Sequence, residues 1–278
     1  MRGELASRRE ELSHRLERDL VSRKRKRIVA VAVAVLVIAI TATVTTVALY
    51  QHQEKSKVPL SHGELSDSLT SVPLDVYNQV GAGSASLQIQ ATGEKSDGST
   101  KANFLYIGAE FCPFCAMERL SLTAALSRFG KFENLHDTIS GSAEGKLSNI
   151  PTVTYKNYAY KSNYVNFKAF EIGDREGREI ADIPKLEKQI FAIYSPNGGI
   201  PLTYWGDIVT FGPDSGTLLA GIKGAAVASA LTNPNSKEAQ STIGGANLFS
   251  AEICSKTGGK PENVCSSSGV RSAAKRIR

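Results

Sequence analysis

Histidine and cysteine are scarce in this sequence. The 278 residues contain four cysteines and four histidines, which are His14, His52, His62 and His136. None of the histidines is spaced as a companion ligand for the cysteines, which argues against a metal site. We therefore expect neither a metal nor another cofactor, so the chemistry should come from the protein's own side chains.

Charged residues are missing from one long segment. No Asp, Glu, Lys or Arg occurs in residues 28–50. At about 1.5 Å per residue, a helix of this length spans the roughly 30 Å hydrocarbon core of a bilayer, so we predict one N-terminal transmembrane helix. A cleaved signal peptide is the alternative. The apolar run is longer than the hydrophobic region of such peptides, and residues 47–50, Val-Ala-Leu-Tyr, do not form a small-residue cleavage site.

Basic charge is concentrated just before this segment. Residues 1–27 hold ten Lys or Arg and five Asp or Glu, whereas the rest of the chain holds 23 basic and 22 acidic residues. The positive-inside rule then keeps this arm in the cytoplasm, beside anionic lipid headgroups, and we expect no nucleic-acid binding. The predicted organisation is a basic arm at 1–27, a transmembrane helix at 28–50, a tether at 51–66, an extracytoplasmic domain at 67–270 and a basic tail at 271–278.

Two cysteines, Cys112 and Cys115, are separated by only two residues. Residues 102–109 form an apolar run typical of a buried strand, and the apolar spacing after Pro113 predicts a helix that Gly130 would end. Proline suits the first helical turn because no backbone N–H is needed there. Cys112 is therefore expected at a helix N-terminus, where backbone N–H groups and the helix dipole lower the pKa of a thiol.

This arrangement predicts redox chemistry at the close pair. Cys112 would be the nucleophile, and Cys115, which lies one turn further into the helix, would be the resolving thiol. The alternatives for this pair are a fixed structural disulfide and half of a metal site.

The other two cysteines, Cys254 and Cys265, bracket a turn-rich loop near the C-terminus. All four cysteines follow the predicted transmembrane segment, which fits an oxidising compartment where disulfides persist. We predict a structural disulfide between Cys254 and Cys265. A second redox relay is the alternative, although this pair lacks the short spacing of the first.

Strand-like and helix-like segments alternate along the domain. The predicted strands are 86–90, 102–109, 166–172 and two short ones within 200–211, and the predicted helices are 76–80, 113–129 and 186–194. Residues 137–150 are expected to be irregular. This order predicts an α/β fold, with a central mixed sheet flanked by helices.

The segment 109–115, Ala-Glu-Phe-Cys-Pro-Phe-Cys, resembles the active-site segment of the thioredoxin superfamily. Ile200-Pro201 resembles that superfamily's second hallmark, a cis-proline that faces the two cysteines. The resemblance implies a thioredoxin-like fold, in which Ile200 and Pro201, with Pro113 and Phe114, contact an incoming peptide. Pro151 is the rival cis-proline, and choosing Pro201 implies an insertion around 137–165.

A closer resemblance is to an uncharacterised prokaryotic family, a domain of unknown function, of membrane-anchored thioredoxin-like proteins. It covers roughly residues 70–270 and rests on 106–115, 126–130, 199–201 and the loop between Cys254 and Cys265. This family brings no established substrate. Thioredoxins place a buried acid six residues before the first cysteine, but here that residue is Tyr106, and we expect Glu110 to be solvated.

These observations predict a membrane-anchored extracytoplasmic thiol-disulfide oxidoreductase that acts on protein cysteines. Its expected partners are protein thiol or disulfide clients, a membrane or extracytoplasmic redox partner, and the lipid bilayer. The alternatives are a non-catalytic scaffold of thioredoxin fold and a soft-metal chaperone that binds through the close cysteine pair. The direction of electron flow is left open.

Overall fold

The computed structural model describes residues 63–94, 99, 101–180, 182–212 and 219–277. The predicted arm, the predicted transmembrane segment and most of the predicted tether lie outside these residues. Within the described ranges, none of the helices combines the length and the apolar character needed to cross a bilayer.

Helices and short strands alternate through the described chain. The helices are α1 (Glu64–Thr70), α2 (Leu74–Val80), α3 (Pro113–Leu126), α4 (Lys185–Tyr194), α5 (Gly224–Ala230), α6 (Lys237–Lys256), α7 (Glu262–Cys265) and α8 (Ser268–Ala274). The strands are β1 (Gln88–Ala91), β2 (Ala102–Gly108), β3 (Gly130–Glu133), β4 (His136–Ile139), β5 (Pro151–Thr154), β6 (Ala159–Ser162), β7 (Val165–Glu171), β8 (Leu202–Tyr204) and β9 (Ile208–Phe211).

The central sheet has the strand order β1-β9-β8-β2-β7. Strand β2 runs parallel to β7, whereas the β2–β8, β8–β9 and β1–β9 pairs are antiparallel. The sheet is therefore mixed, and helices lie beside it. This confirms the predicted α/β class with a central mixed sheet.

Strand β2 is the best-covered strand of this sheet. Its sequence is nearly continuously apolar, and six of its seven residues are buried. Such a run is typical of a strand that is covered on both faces. Tyr106, at its centre, lies opposite Ala169 of β7 and Thr203 of β8. The carboxyl end of β2 leads directly into the cysteine segment.

The two faces of the sheet are covered unequally. The larger core cluster includes residues of β2, α3 and α6, whereas the smaller cluster on Leu105, Ile107 and Leu202 is completed by partly buried residues of α4. Helix α3 is buried on nearly all sides, because Phe114 is its only residue outside the buried set. Any polar side chain on α3 is therefore removed from water.

Two small antiparallel pairs include residues of the predicted insertion at 137–165. Strand β3 pairs with β6, and β4 pairs with β5. The expectation that 137–150 is irregular was wrong at its start, because residues 137–139 belong to β4 and pair with residues 151–153. Tyr155, Tyr158 and Tyr160 pack against Phe132 and Phe167, so the tyrosine-rich stretch belongs to the core.

Several boundaries differ from those expected. Helix α3 ends at Leu126, and Gly130 opens β3 instead of ending the helix. Residues 64–66, which we assigned to the tether, lie in α1, where Leu65 is buried. The tail from residue 271 begins inside α8, and Arg276 Nη1 donates a hydrogen bond to the Gly83 carbonyl at 2.8 Å. The folded domain thus extends beyond both predicted ends.

Candidate functional site

Cys112 is the N-cap residue of α3. Its extended backbone lets Sγ turn back over the helix terminus, where it accepts a hydrogen bond from the backbone N–H of Cys115 at 3.3 Å. The same sulfur lies 3.7 Å from the carbonyl oxygen of Ile200. Cys112 is 5% exposed and Cys115 is fully buried. Both thiols are free in this structure.

The two thiols have opposite acidities. A hydrogen bond from the Cys115 side chain lowers the pKa of Cys112, with further help from the Cys115 backbone and from Arg119, although burial acts the other way. Burial raises the pKa of Cys115 well above its ordinary value, and the hydrogen bond to Cys112 adds to this. Cys112 is therefore the residue that can present a thiolate, and Cys115 holds its proton.

A cavity of about 290 Å³ adjoins the cysteine segment. Its lining includes Phe114, Ile200 and Pro201, which are three of the four residues predicted to contact a client, and it also includes Phe211. Phe114 is 47% exposed. The fourth, Pro113, is buried in the first turn of α3 and lies outside this lining.

Of the two candidate prolines, Pro201 follows a cis peptide bond with Ile200. Pro151 opens β5 and lies opposite Ile139 in the β4–β5 pair. The residue before Pro201 faces Cys112 through its carbonyl group, so the Pro201 segment adjoins the cysteines.

Beneath the cysteines lies a buried ion pair that the sequence analysis missed. Arg119 Nη1 lies 3.0 and 2.9 Å from the two carboxylate oxygens of Glu171, at the end of β7. It also donates to the carbonyl oxygen of Ala109 at 3.2 Å. Arg119 lies four residues after Cys115, on the same face of α3, and that spacing was the available signal.

Glu118 is a second buried acid, which the sequence analysis also missed. Its side chain is fully buried, and Oε1 accepts a hydrogen bond from the Thr203 hydroxyl of β8. Oε2 has no hydrogen-bond partner among the described residues. Burial raises the pKa of Glu118 well above its ordinary value, and the charge of Cys112 acts in the same direction. The available signal was a glutamate three residues after Cys115, on a helix with few charged residues.

Tyr106 and Glu110, the two residues considered for the position of a buried acid, lie close to this network. The Tyr106 hydroxyl is 3.5 Å from the carbonyl oxygen of Cys115, and burial raises the pKa of this tyrosine well above its ordinary value. Glu110 is half-buried and accepts a hydrogen bond from the Thr154 hydroxyl at 2.7 Å, so the expectation of a solvated side chain was wrong.

The second cysteine pair is separate from this network. Cys254 and Cys265 form a disulfide with a Cα–Cα distance of 5.6 Å. Cys254 belongs to α6 and Cys265 to α7, so the loop they enclose is partly helical. Within the described part of the chain, no three side chains of His, Cys, Asp or Glu come together as a metal site.

Residues 89–203 match the model of a family described as "Domain of unknown function (DUF929)". The matched stretch contains the close cysteine pair together with Glu118, Arg119 and Pro201. No curated protein and no solved structure matches the chain.

Proposed function

We propose that this chain is a thioredoxin-like thiol-disulfide oxidoreductase that acts on protein cysteines. The observation that carries the proposal is the environment of Cys112: its sulfur caps α3, accepts the N–H of Cys115 at 3.3 Å, and adjoins Cys115, whose own thiol is fully buried. A helix N-terminus stabilises the thiolate, which is the form that attacks a disulfide.

The proposed reaction has two displacement steps. The Cys112 thiolate attacks one sulfur of a client disulfide, a mixed disulfide forms, and the other client sulfur leaves as a thiolate. Cys115 then loses its proton and attacks Cys112 Sγ, so the second client thiolate departs. The client gains two electrons, which the Cys112–Cys115 pair supplies by forming its own disulfide. The reverse sequence oxidises a client dithiol.

The cavity of about 290 Å³ is the proposed client site. An extended peptide placed there would bring its cysteine towards Cys112, and Phe114, Ile200 and Pro201 would contact the neighbouring client side chains. Among the described residues, the eight that line the cavity include no Asp, Glu, Lys or Arg, which favours clients with uncharged residues beside their cysteine.

The proposed location is the outer face of a cell membrane. This rests on the sequence, in which the uncharged segment 28–50 follows a basic arm. The N-terminus is proposed to be cytoplasmic and the cysteine domain extracytoplasmic. An oxidising compartment requires a partner that resets the Cys112–Cys115 pair, and we propose a membrane or extracytoplasmic redox protein for this role.

A trapping experiment tests the proposed function. Cys115→Ser in the full chain removes the resolving thiol, so we expect mixed disulfides through Cys112 to accumulate in the native host, where they can be recovered and sequenced. Cys112→Ser is the matched control, and it should trap none. If Cys115→Ser also traps none, the catalytic proposal fails.

Equilibration with glutathione gives a second measurement on the same proposal. The wild-type Cys112–Cys115 pair should exchange, with a reduction potential between about −270 and −120 mV, because a helix terminus stabilises the Cys112 thiolate while the two residues between the cysteines are uncharged. A fixed scaffold would show no exchange, and a soft-metal chaperone would retain a metal in the reduced full chain.

A further inference from the structure

Two buried acids lie near the cysteines, but only Glu171 has a cation in contact. Both of its oxygens are within 3.0 Å of Arg119 Nη1, and this contact favours the carboxylate. Glu118 accepts a side-chain hydrogen bond from Thr203 at one oxygen, and the backbone of Gly212 also favours its ionised form. Its Oε2 is buried and has no hydrogen-bond partner within the described residues. A buried oxygen without a hydrogen-bond partner is rare in folded proteins, so its presence here requires an explanation.

Glu118 is placed to respond to the cysteine pair. It lies three residues after Cys115 on α3, and side chains at this spacing are neighbours on a helix face. The titratable groups of the described chain that interact with it include Cys112 and Arg119 on the same helix and Tyr106 on β2. From strand β8 the Thr203 hydroxyl contacts Glu118, but a hydroxyl group cannot replace the Glu118 carboxylate as a base.

We propose that Glu118 exchanges a proton with the Cys112–Cys115 pair and thereby determines how the thiolate at Cys112 depends on pH. This inference rests on the proposed function, since it assigns a residue to the resolving step. One negative charge is shared between a cysteine sulfur and the Glu118 carboxyl group, because two charges in this buried site would repel each other.

The proton transfer completes the resolving step of the reaction. The Cys115 thiol gives its proton to the Glu118 carboxylate, directly or through one water, while its sulfur attacks Cys112 Sγ. The bond between Cys112 and the client sulfur breaks, and the client leaves as a thiolate with the electron pair. In the reverse direction, protonated Glu118 returns the proton to Cys115 as that sulfur leaves.

The orphaned Oε2 fits this role better than a structural one. A carboxyl group that only stabilised the fold would be expected to use both oxygens, as Glu171 does. Glu118 instead holds one oxygen on Thr203, two residues after Pro201, and keeps the other without a fixed partner within the described structure. Thr203 is thus a positioning residue that orients the carboxyl group.

The test is the pH dependence of Cys112 alkylation in the reduced full chain. In the wild type the thiolate at Cys112 should appear in two steps, because ionised Glu118 raises the pKa of Cys112. Glu118→Gln keeps the shape of the side chain and an oxygen for Thr203, but it cannot ionise. We expect this variant to show a single step, at a midpoint no higher than that of the wild type.

Two further variants sharpen the result. Glu187→Gln removes a buried carboxylate of α4 that pairs with Lys168 of β7. This variant should keep the two-step profile. Thr203→Val removes the side-chain hydrogen bond that favours ionised Glu118. The pKa of Glu118 should then rise, and the upper step should move to higher pH.

The resolving step provides a rate measurement. With a model peptide disulfide-bonded to Cys112, its release should slow about a hundredfold or more in Glu118→Gln, which is the low end of the loss expected when a proton acceptor is removed. A Glu118→Gln protein with the wild-type pH profile and the wild-type release rate would overturn the proposal.

This test separates the two proposals. Alkylation needs no client, so a failed Cys115→Ser trap beside a two-step profile would reject the catalytic function and retain the Glu118–Cys112 linkage. If Glu118→Gln fails to fold, carbon-13 NMR of the wild-type carboxyl groups decides. The Glu118 resonance should titrate at a different pH in the reduced and oxidised proteins, and an identical titration in both would overturn the proposal.

Discussion

Arg119 is fully buried and nevertheless charged, because a guanidinium group does not lose its proton in a protein. Burial is the strongest influence and works against this charge, but Glu171 together with Tyr106, Cys115 and Glu110 outweighs it and raises the pKa of Arg119. Nε and Nη2 have no hydrogen-bond partner within the described structure, so the Nη1 contact with Glu171 carries the compensation. Each charge of this pair is tolerated only because the other is present.

Arg119→Met therefore leaves Glu171 buried without its cation. We expect the free energy of unfolding to fall by about 3–5 kcal/mol, the usual result when one partner of a buried pair is removed. Urea unfolding of the full chain measures it through the fluorescence of Trp205, the only tryptophan in the sequence, which is buried against Phe104.

The control for this prediction is Lys161→Met. Lys161 pairs with Glu133 at 2.9 Å, but the two side chains are 73% and 42% exposed. An exposed pair contributes about 1 kcal/mol or less, so this loss should be small. Equal losses in the two variants would contradict the idea that Glu171 depends on Arg119.

At the scale of elements, the strands and helices with strong periodicity could be predicted from the sequence. The apolar run of β2, the helix after Cys112 and the short pair β8–β9 agree with their predictions. Strand β4 could not be predicted, because it is four residues long and is defined by its pairing with β5. Helix α6 was missed although Ser236 caps it, since its many small residues give a weak apolar pattern.

The buried network was beyond prediction for a different reason. Glu171 lies 52 residues from Arg119, and Thr203 lies 85 residues from Glu118. No local pattern links such positions, because the β2–β7 and β2–β8 registers bring them together. The cysteine spacing therefore indicated thiol chemistry, while the buried charged groups beside the cysteines became visible only in the folded chain.

A glycine allows helix α6 to approach a neighbouring loop closely. A Cβ added at Gly244 would lie 2.5 Å from the backbone oxygen of Ala82, and a backbone atom cannot move aside as a flexible side chain can. Helix α6 also packs on α3 through a hydrogen bond from the Ser121 hydroxyl to the Thr242 carbonyl at 3.1 Å. Displacing α6 would therefore disturb the helix that carries Cys112.

Gly244→Ala should destabilise the domain in spite of the higher helix propensity of alanine. We expect the free energy of unfolding to fall by about 1–3 kcal/mol, the usual cost of overpacking. Gly224→Ala in α5 is the matched control, since its added Cβ would make an ordinary contact of 3.7 Å with Pro151. Urea unfolding should show little loss in the control, and a stable Gly244→Ala protein would refute the close approach.

At the scale of the whole molecule, the four cysteines divide into two pairs with different surroundings. Cys112 and Cys115 lie where a strand meets a helix, beside two buried acids and Arg119. Cys254 and Cys265 join the end of α6 to α7, eleven residues apart in sequence. The first pair has the electrostatic environment of a reactive thiol, whereas the second closes a short loop near the end of the described chain.

Removing the second pair should therefore lower stability without abolishing thiol exchange. In Cys254→Ala/Cys265→Ala we expect the free energy of unfolding to fall by about 2–4 kcal/mol, because the unfolded chain loses a loop constraint. The exchange of Cys112 and Cys115 with a glutathione buffer should persist below the unfolding transition. Cys112→Ser/Cys115→Ser is the converse control: alkylation and mass analysis should show an intact Cys254–Cys265 disulfide and no exchange. If the alanine variant folds but exchange at Cys112 disappears, the second pair is a redox relay, and its assignment as a structural bridge is wrong.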